Sequence, residues 1–192
     1  MNFFTLPGYT FISRPRRNKK RGGGVGLYVS NDLSFCSLDN IESKWCDVCE
    51  CSAIEILNDH SSNMIILSLY KPPDVDISLF DSILSKALKD LTGKNNRKKV
   101  IVTADWNIDL LKAATDNKVD RFVNNMISFG LLPTITIPTR ITEQTATLLD
   151  NIFINCAETN HFTVEWFMSW YVGPSSDTYQ HRLWDIKTIY RQ

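Results

Sequence analysis

The chain has 192 residues, 43% of them apolar and 22% charged, which suits one globular domain with a sizeable core and excludes a disordered or fibrous segment. Its 21 basic and 21 acidic residues cancel, so no global field recruits nucleic acid and any attraction for phosphate must be local. No apolar run approaches the roughly 18 residues of a spanning helix, and the start MNFFTLPGY carries no basic leader, which points to an intracellular, non-secreted protein without a membrane partner.

In chain order, Tyr9–Ser13 predicts a short strand and Arg14–Gly24 a loop. Val25–Ser30 and Leu33–Ser37 flank Asn31-Asp32 and predict a hairpin. Val48–Leu57 alternates, with Val48, Ala53 and other small apolar positions interleaved with Glu50, Ser52 and Glu55. Met64–Tyr70 is a continuous apolar run, typical of a strand covered on both faces, and Lys71-Pro72-Pro73 then forces a turn. In Ser78–Leu91 the residues Phe80, Ile83, Leu84, Ala87, Leu88 and Leu91 share one helical face, with Ser78 and Asp81 as a capping pair and Gly93 just past the end. Lys99–Thr103 predicts another covered strand. A second helix follows over Asn117–Phe129, with Val119, Phe122, Val123, Met126 and Ile127 on one side and Gly130 as its stop. Leu131–Ile137 and Thr147–Asn155 predict the last strands. The pattern is an α/β (α+β) fold of layered sheets with helices outside, and a mixed sheet fits it better than a purely parallel one.

Two features invite chemistry. In VIVTADWN the apolar run stops at Thr103, and Asp105 and Asn107 follow at a spacing of two. On an extended chain they point to one side, so the strand end offers a carboxylate and a carboxamide to one cleft. The carboxylate can take a proton from water or bind a hard cation, and the amide can hold a phosphate oxygen. The plainer alternative is a turn cap after a strand. The second feature is Arg14–Arg21, six basic residues in eight: Arg14, Arg16, Arg17, Lys19, Lys20 and Arg21. It reads as a phosphate-binding loop, a nuclear localisation signal or a solvated connection. The glycines after it lack the lysine pattern of a P-loop. The five cysteines, Cys36, Cys46, Cys49, Cys51 and Cys156, are odd in number and expected to be free; C-x2-C-x-C at Cys46–Cys51 would need a distant fourth ligand such as His60 to hold zinc.

Four tracts occur in a fixed order: GGGVGLYV at Gly22–Val29, LYKP at Leu69–Pro72, TADWNID at Thr103–Asp109 and PTRITEQTATLLDNIFIN at Pro138–Asn155. The set resembles the endonuclease/exonuclease/phosphatase superfamily, and more narrowly the endonuclease domain of LINE-type, non-long-terminal-repeat retrotransposons of the jockey-like kind. The resemblance implies a DNase I-like two-sheet sandwich with flanking helices, and Mg2+-dependent hydrolysis of DNA phosphodiesters without a small-molecule cofactor. It implies that Asp105 prepares the attacking water, that Asn107 holds the scissile phosphate, that the Tyr70 hydroxyl stabilises charge on it and that Asp150 lines the cleft. Without the resemblance, Tyr70 is a strand-end aromatic with its hydroxyl in water, and Asp150 an inward residue paired with Arg140.

The sequence also departs from that family. Ala104 and Trp106 stand for its Gly and Phe. Its first asparagine and its metal-ligand glutamate have no counterpart, since Glu42, Glu50 and Glu55 all lie beyond the Gly-rich tract. No Ser-Asp-His triplet occurs; His161 follows Asp150 too closely and His181 lacks the adjacent aspartate. The expectation is therefore an incomplete sandwich over residues 1–164, a divergent tail over 165–192, unassigned metal ligands, weakened Mg2+ binding and very little nuclease activity. The alternatives are a non-enzymatic nucleic-acid-binding remnant that uses Arg14–Arg21, and a phosphoesterase on a small phosphate ester, which the PTRIT tract argues against.

Overall fold

The computed structural model describes residues 6–15, 24–41, 48–59, 62–92 and 98–155, together with the backbone of two short pairs beyond them. The elements are β1 (Tyr9–Pro15), β2 (Gly24–Ser30), β3 (Phe35–Ser37), β4 (Glu50–Ile56), β5 (Met64–Tyr70), α1 (Ile77–Thr92), β6 (Lys99–Asp105), α2 (Asn117–Ser128), β7 (Leu132–Pro133), β8 (Arg140–Ile141), β9 (Ala146–Thr147), β10 (Asp150–Ile154), β11 (Val164–Glu165) and β12 (Lys187–Thr188). A six-stranded sheet runs β3-β4-β5-β6-β10-β7, while β1-β2, β8-β9 and β11-β12 form separate antiparallel pairs. Within the large sheet β5 and β6 are parallel, joined by the α1 crossover, and the other pairs are antiparallel. This is the mixed, layered α/β arrangement expected.

Parallel strands need cover on both faces, and the continuous apolar runs of β5 and β6 meet that need. The ladder places Ala53, Leu67, Val102 and Phe153 in one row. On that face Phe153 meets Trp106 and the α2 residue Phe122, and Phe80 of α1 completes the aromatic group, with ring centroids 5.3 to 6.3 Å apart. The opposite face carries Ile54 and Ile66, and β2 packs over β4 and β5 there with Val25, Leu27 and Val29 buried. Cover from both sides extends to β4, where every residue from Cys51 to Ile56 is buried, the polar Ser52 and Glu55 included.

Three local expectations change. Val25–Ser30 and Leu33–Ser37 do not form a hairpin: β2 pairs with β1, and β3 pairs with β4 in the other sheet. The turn at Asn31-Asp32 passes the chain between layers, because β2 buries its apolar residues against the sheet rather than beside β3. The cap of α1 is Asp76, whose Oδ1 accepts from Ser78 N (2.8 Å) and Leu79 N (3.2 Å), so Ser78 already lies inside the first turn. Asp116 caps α2 in the same way. Finally, the ladder covers only Leu132–Pro133 of the strand predicted over Leu131–Ile137, because the Asn151 side chain takes both Ile135 N–H (3.2 Å) and Ile135 C=O (2.8 Å). Gly130 ends α2 as expected, with φ at +74°.

Candidate active site

The sheet register assembles one row of polar side chains at one end of the strands. Glu50 faces Tyr70, Tyr70 faces Asp105, and Asp105 faces Asp150. Directly paired residues project to the same face, so all four lie on the side away from the helices. Asp105 and Asp150 are buried, at 7% and 2% exposure. The next row inward, Ser52, Ser68 and Thr103, is buried and hydroxyl-bearing.

Asn107 joins Asp105, though not by the extended geometry that its spacing suggested. The strand stops at Asp105, and Asn107 takes φ +45°, in the left-handed region where Asn is tolerated. Its backbone N–H returns to Asp105 Oδ1 at 3.3 Å, and its Nδ2 donates to Lys71 C=O at 2.8 Å. The turn cap and the candidate site are thus the same structure. Lys71 is bound into it as well: its N–H donates to Asp105 C=O at 3.0 Å, and its Nζ to Pro72 C=O at 3.1 Å. The Lys71 side chain is buried, and that burial pushes its ammonium below the usual lysine range against the pull of Asp74, Asp76 and Asp105.

Arg140 is the cation at the carboxylate row. Its Nη2 lies 3.2 Å from Asp105 Oδ2, while its Nε is buried without an acceptor. The sequence reading offered Asp150 as its partner; the structure gives it Asp105. The neighbouring Thr139 Oγ1 accepts from Leu149 N–H and Asp150 N–H, each at 3.2 Å, which locks the β8 segment onto the start of β10. Trp106 fixes the strand end from the other face: it is fully buried, its N–H donates to Leu149 C=O at 2.8 Å and its Nε1 to Asn151 C=O at 3.2 Å.

Tyr70, Asp105, Asn107 and Asp150 are therefore brought together. Arg14 lies in β1 opposite Val25 by its backbone, whereas the Arg14 side chain and Arg16, Arg17, Lys19, Lys20 and Arg21 lie outside the described residues, as do His161 and His181. Sequence reasoning missed Glu50 as a member of the row. The signal was available: β4 and β5 are consecutive antiparallel strands, so the start of one must face the end of the other.

A divalent cation fits this arrangement poorly. Among the described residues no three His, Cys, Asp or Glu side chains converge as a ligand set. Asp105 Oδ2 is held by the Arg140 guanidinium, whose charge repels a cation approaching that carboxylate.

No protein-family model and no curated protein matches the sequence. Solved structures do. The endonuclease domain of TRAS1, a telomere-specific non-LTR retrotransposon, is similar with a TM-score of 0.62 and 14% identity, covering 85% of this chain and 74% of that one. The human Nocturnin catalytic domain with bound sulfate is similar with a TM-score of 0.52 and 15% identity, over 82% of this chain and 63% of that one. An endonuclease/exonuclease/phosphatase family protein from Bacteroides thetaiotaomicron aligns at a TM-score of 0.49 and 17% identity, over 78% of this chain and 60% of that one. The chain thus spans less than two thirds of the second and third. The likeness to the TRAS1 endonuclease domain and to the Nocturnin catalytic domain shows that the chain has the layered α/β fold of those two structures.

Proposed function

We propose that the chain is a retrotransposon endonuclease-like domain that binds DNA phosphodiesters at the Asp105–Asn107 end of its sheet and nicks them only feebly. The observation that carries this reading is the register bringing Tyr70, Asp105 and Asp150 into one row, with Asn107 turned back beside Asp105. The likeness to the TRAS1 endonuclease domain supports DNA as the substrate class. The domain proper runs over residues 1–164 in this reading, with 165–192 outside it, and the basic run Arg14–Arg21 adds further phosphate contacts.

Each residue has a chemical part in the proposal. Asp105 takes a proton from the attacking water, Asn107 directs its amide at a phosphate oxygen, the Tyr70 hydroxyl donates to the developing charge, and Asp150 shapes the cleft next to Asp105. The complete family relatives are expected to use Mg2+, but in this chain Arg140 engages the carboxylate that would hold it. A carboxylate already engaged by a guanidinium is also less available to water. Loss of one member of such a group can nearly abolish the function of all. The same ion pair favours a second reading, a non-enzymatic DNA-binding module.

Nicking of supercoiled plasmid in Mg2+, beside an Asp105→Ala control, tests the proposal. The expected result is retardation of DNA at low salt with nicking barely above the control. Robust nicking that the substitution abolishes would overturn the claim of feeble activity. Absence of any DNA binding would overturn the functional reading itself.

A further inference from the structure

We propose that Arg140 supplies the positive charge that holds a substrate phosphate beside Asp105, so that phosphodiester binding here does not depend on a divalent cation. The inference rests on the phosphodiester-binding reading above and names the group that does the binding.

The geometry fixes Arg140 at the row. Arg140 pairs with Thr147 across β8–β9, and Thr139 N–H donates to Thr147 C=O at 2.9 Å. With Thr139 Oγ1 on the start of β10, the guanidinium is carried directly over Asp105. Its one hydrogen bond among the described residues, to Asp105, uses one of the five donors a guanidinium has. Its Nε is a buried donor lacking an acceptor, while the side chain as a whole is still 38% exposed. A buried, unmatched donor is costly, and an arriving anion that drew the guanidinium toward it would relieve that cost.

Charge and shape both favour phosphate as that anion. A guanidinium is planar, always charged and matched to two oxygens of a phosphate, whereas a metal at the same carboxylate would face its repulsion. In the resting protein Asp105 and Arg140 neutralise one another, so Asp105 does not present a bare carboxylate to an incoming phosphate. The other cation close by, Lys71, is buried and directs its ammonium to Pro72 C=O, which leaves Arg140 as the cation that reaches both solvent and the row among the described residues.

The test is fluorescence anisotropy of a short labelled DNA duplex with the full chain, in EDTA and in Mg2+ at matched ionic strength, over a salt series. Wild type is expected to bind with the same affinity in both. Arg140→Gln is expected to weaken binding about tenfold in EDTA and to lower the slope of log K against log salt by about 0.9, the share of one phosphate contact. Arg140→Lys should restore the slope but not the full affinity, because it keeps the charge and loses the fork. Asp105→Asn should tighten Mg2+-free binding, and the gain should vanish in the Asp105→Asn, Arg140→Gln double variant. A purely structural Arg140 would leave the slope unchanged in every variant that still melts as wild type does. Binding that requires Mg2+, or an Arg140→Gln slope equal to that of wild type, would overturn the inference. Should Arg140→Gln fail to fold, Asp105→Asn decides alone: unchanged or weaker binding in EDTA overturns it. Wild type that binds no DNA in either buffer refutes the functional reading and this inference with it.

Discussion

Trp106 shows how a position can support a site without touching substrate. It follows Asp105 directly, fills the centre of the aromatic group and ties its indole N–H to Asn151 C=O. The resemblance led us to expect phenylalanine there, and the buried acceptor explains why the larger ring is accommodated. Trp106→Phe removes that hydrogen bond and some volume, and is expected to cost about 1–2 kcal/mol by urea denaturation. Trp106→Ala is expected to cost about 3–5 kcal/mol. Glu55 makes a prediction in pH. Its hydrogen bond to Lys98, 2.7 Å away, holds its carboxyl below the ordinary value of 4.5; burial opposes this, and Asn63 and the Lys98 charge assist it. A depressed folded pKa stabilises above the ordinary value, and that contribution is lost as pH falls through the depressed one. The stability gap between wild type and Glu55→Gln should therefore be widest near neutral pH and close as the solution is acidified below 4.5. A gap that stays constant with pH would contradict this.

At the scale of elements, caps and ladders compete for the same backbone groups. Asp116 accepts from Lys118 N–H and Val119 N–H at the start of α2, so Asp116→Ala is expected to cost about 1 kcal/mol. Asn151 does more: its carboxamide serves Ile135 N–H, Ile135 C=O and Ile152 N–H, all buried. Asn151→Leu should leave these groups unmatched and destabilise the protein by about 3 kcal/mol or more, read as a fall in the denaturation midpoint. These two elements also mark what a sequence can disclose. The covered strands and both helices were legible because burial on two faces leaves a continuous apolar run, and burial on one helical face leaves a 3.6-residue period. The partner of β2 was not legible. Nothing in Val25–Ser30 says that it pairs backwards with β1 and lies over β4, since an apolar strand looks alike in either sheet. Side chains standing in for ladder bonds were equally hidden, and so Leu131–Ile137 read as a full strand. At the candidate site, Asp105, Asn107, Tyr70 and Asp150 were singled out through the ordered tracts and lie together, while the Arg140–Asp105 pair depended on a fold-back of 35 residues that no local pattern encodes.

The whole molecule has two unlike layers on its main sheet, helices on one face and the β1–β2 pair on the other. That asymmetry sorts the described thiols. Cys49 and Cys51 lie inside the core, and Cys36 is exposed on the outer strand β3. In the native protein an Ellman-type reagent should modify Cys36 rapidly, and Cys49 and Cys51 only at the rate of opening. Equal rates for all three would mean that the β4 region is not packed as described.

The strand order has a consequence for how the molecule is made. β10 is inserted between β6 and β7, although α2 and β7 to β9 are synthesised before it. A chain leaving the ribosome therefore carries β6, with Asp105 at its tip, as an open edge until β10 emerges. Such an edge is a template for wrong pairing. It also sets the order of events for the site: Arg140 is made before Asp150, yet the β8 segment gains its Thr139 anchor only when β10 docks. Asp150 and the anchored guanidinium thus join the row in the same step, and a chain stalled before it would hold Glu50, Tyr70 and Asp105 without either.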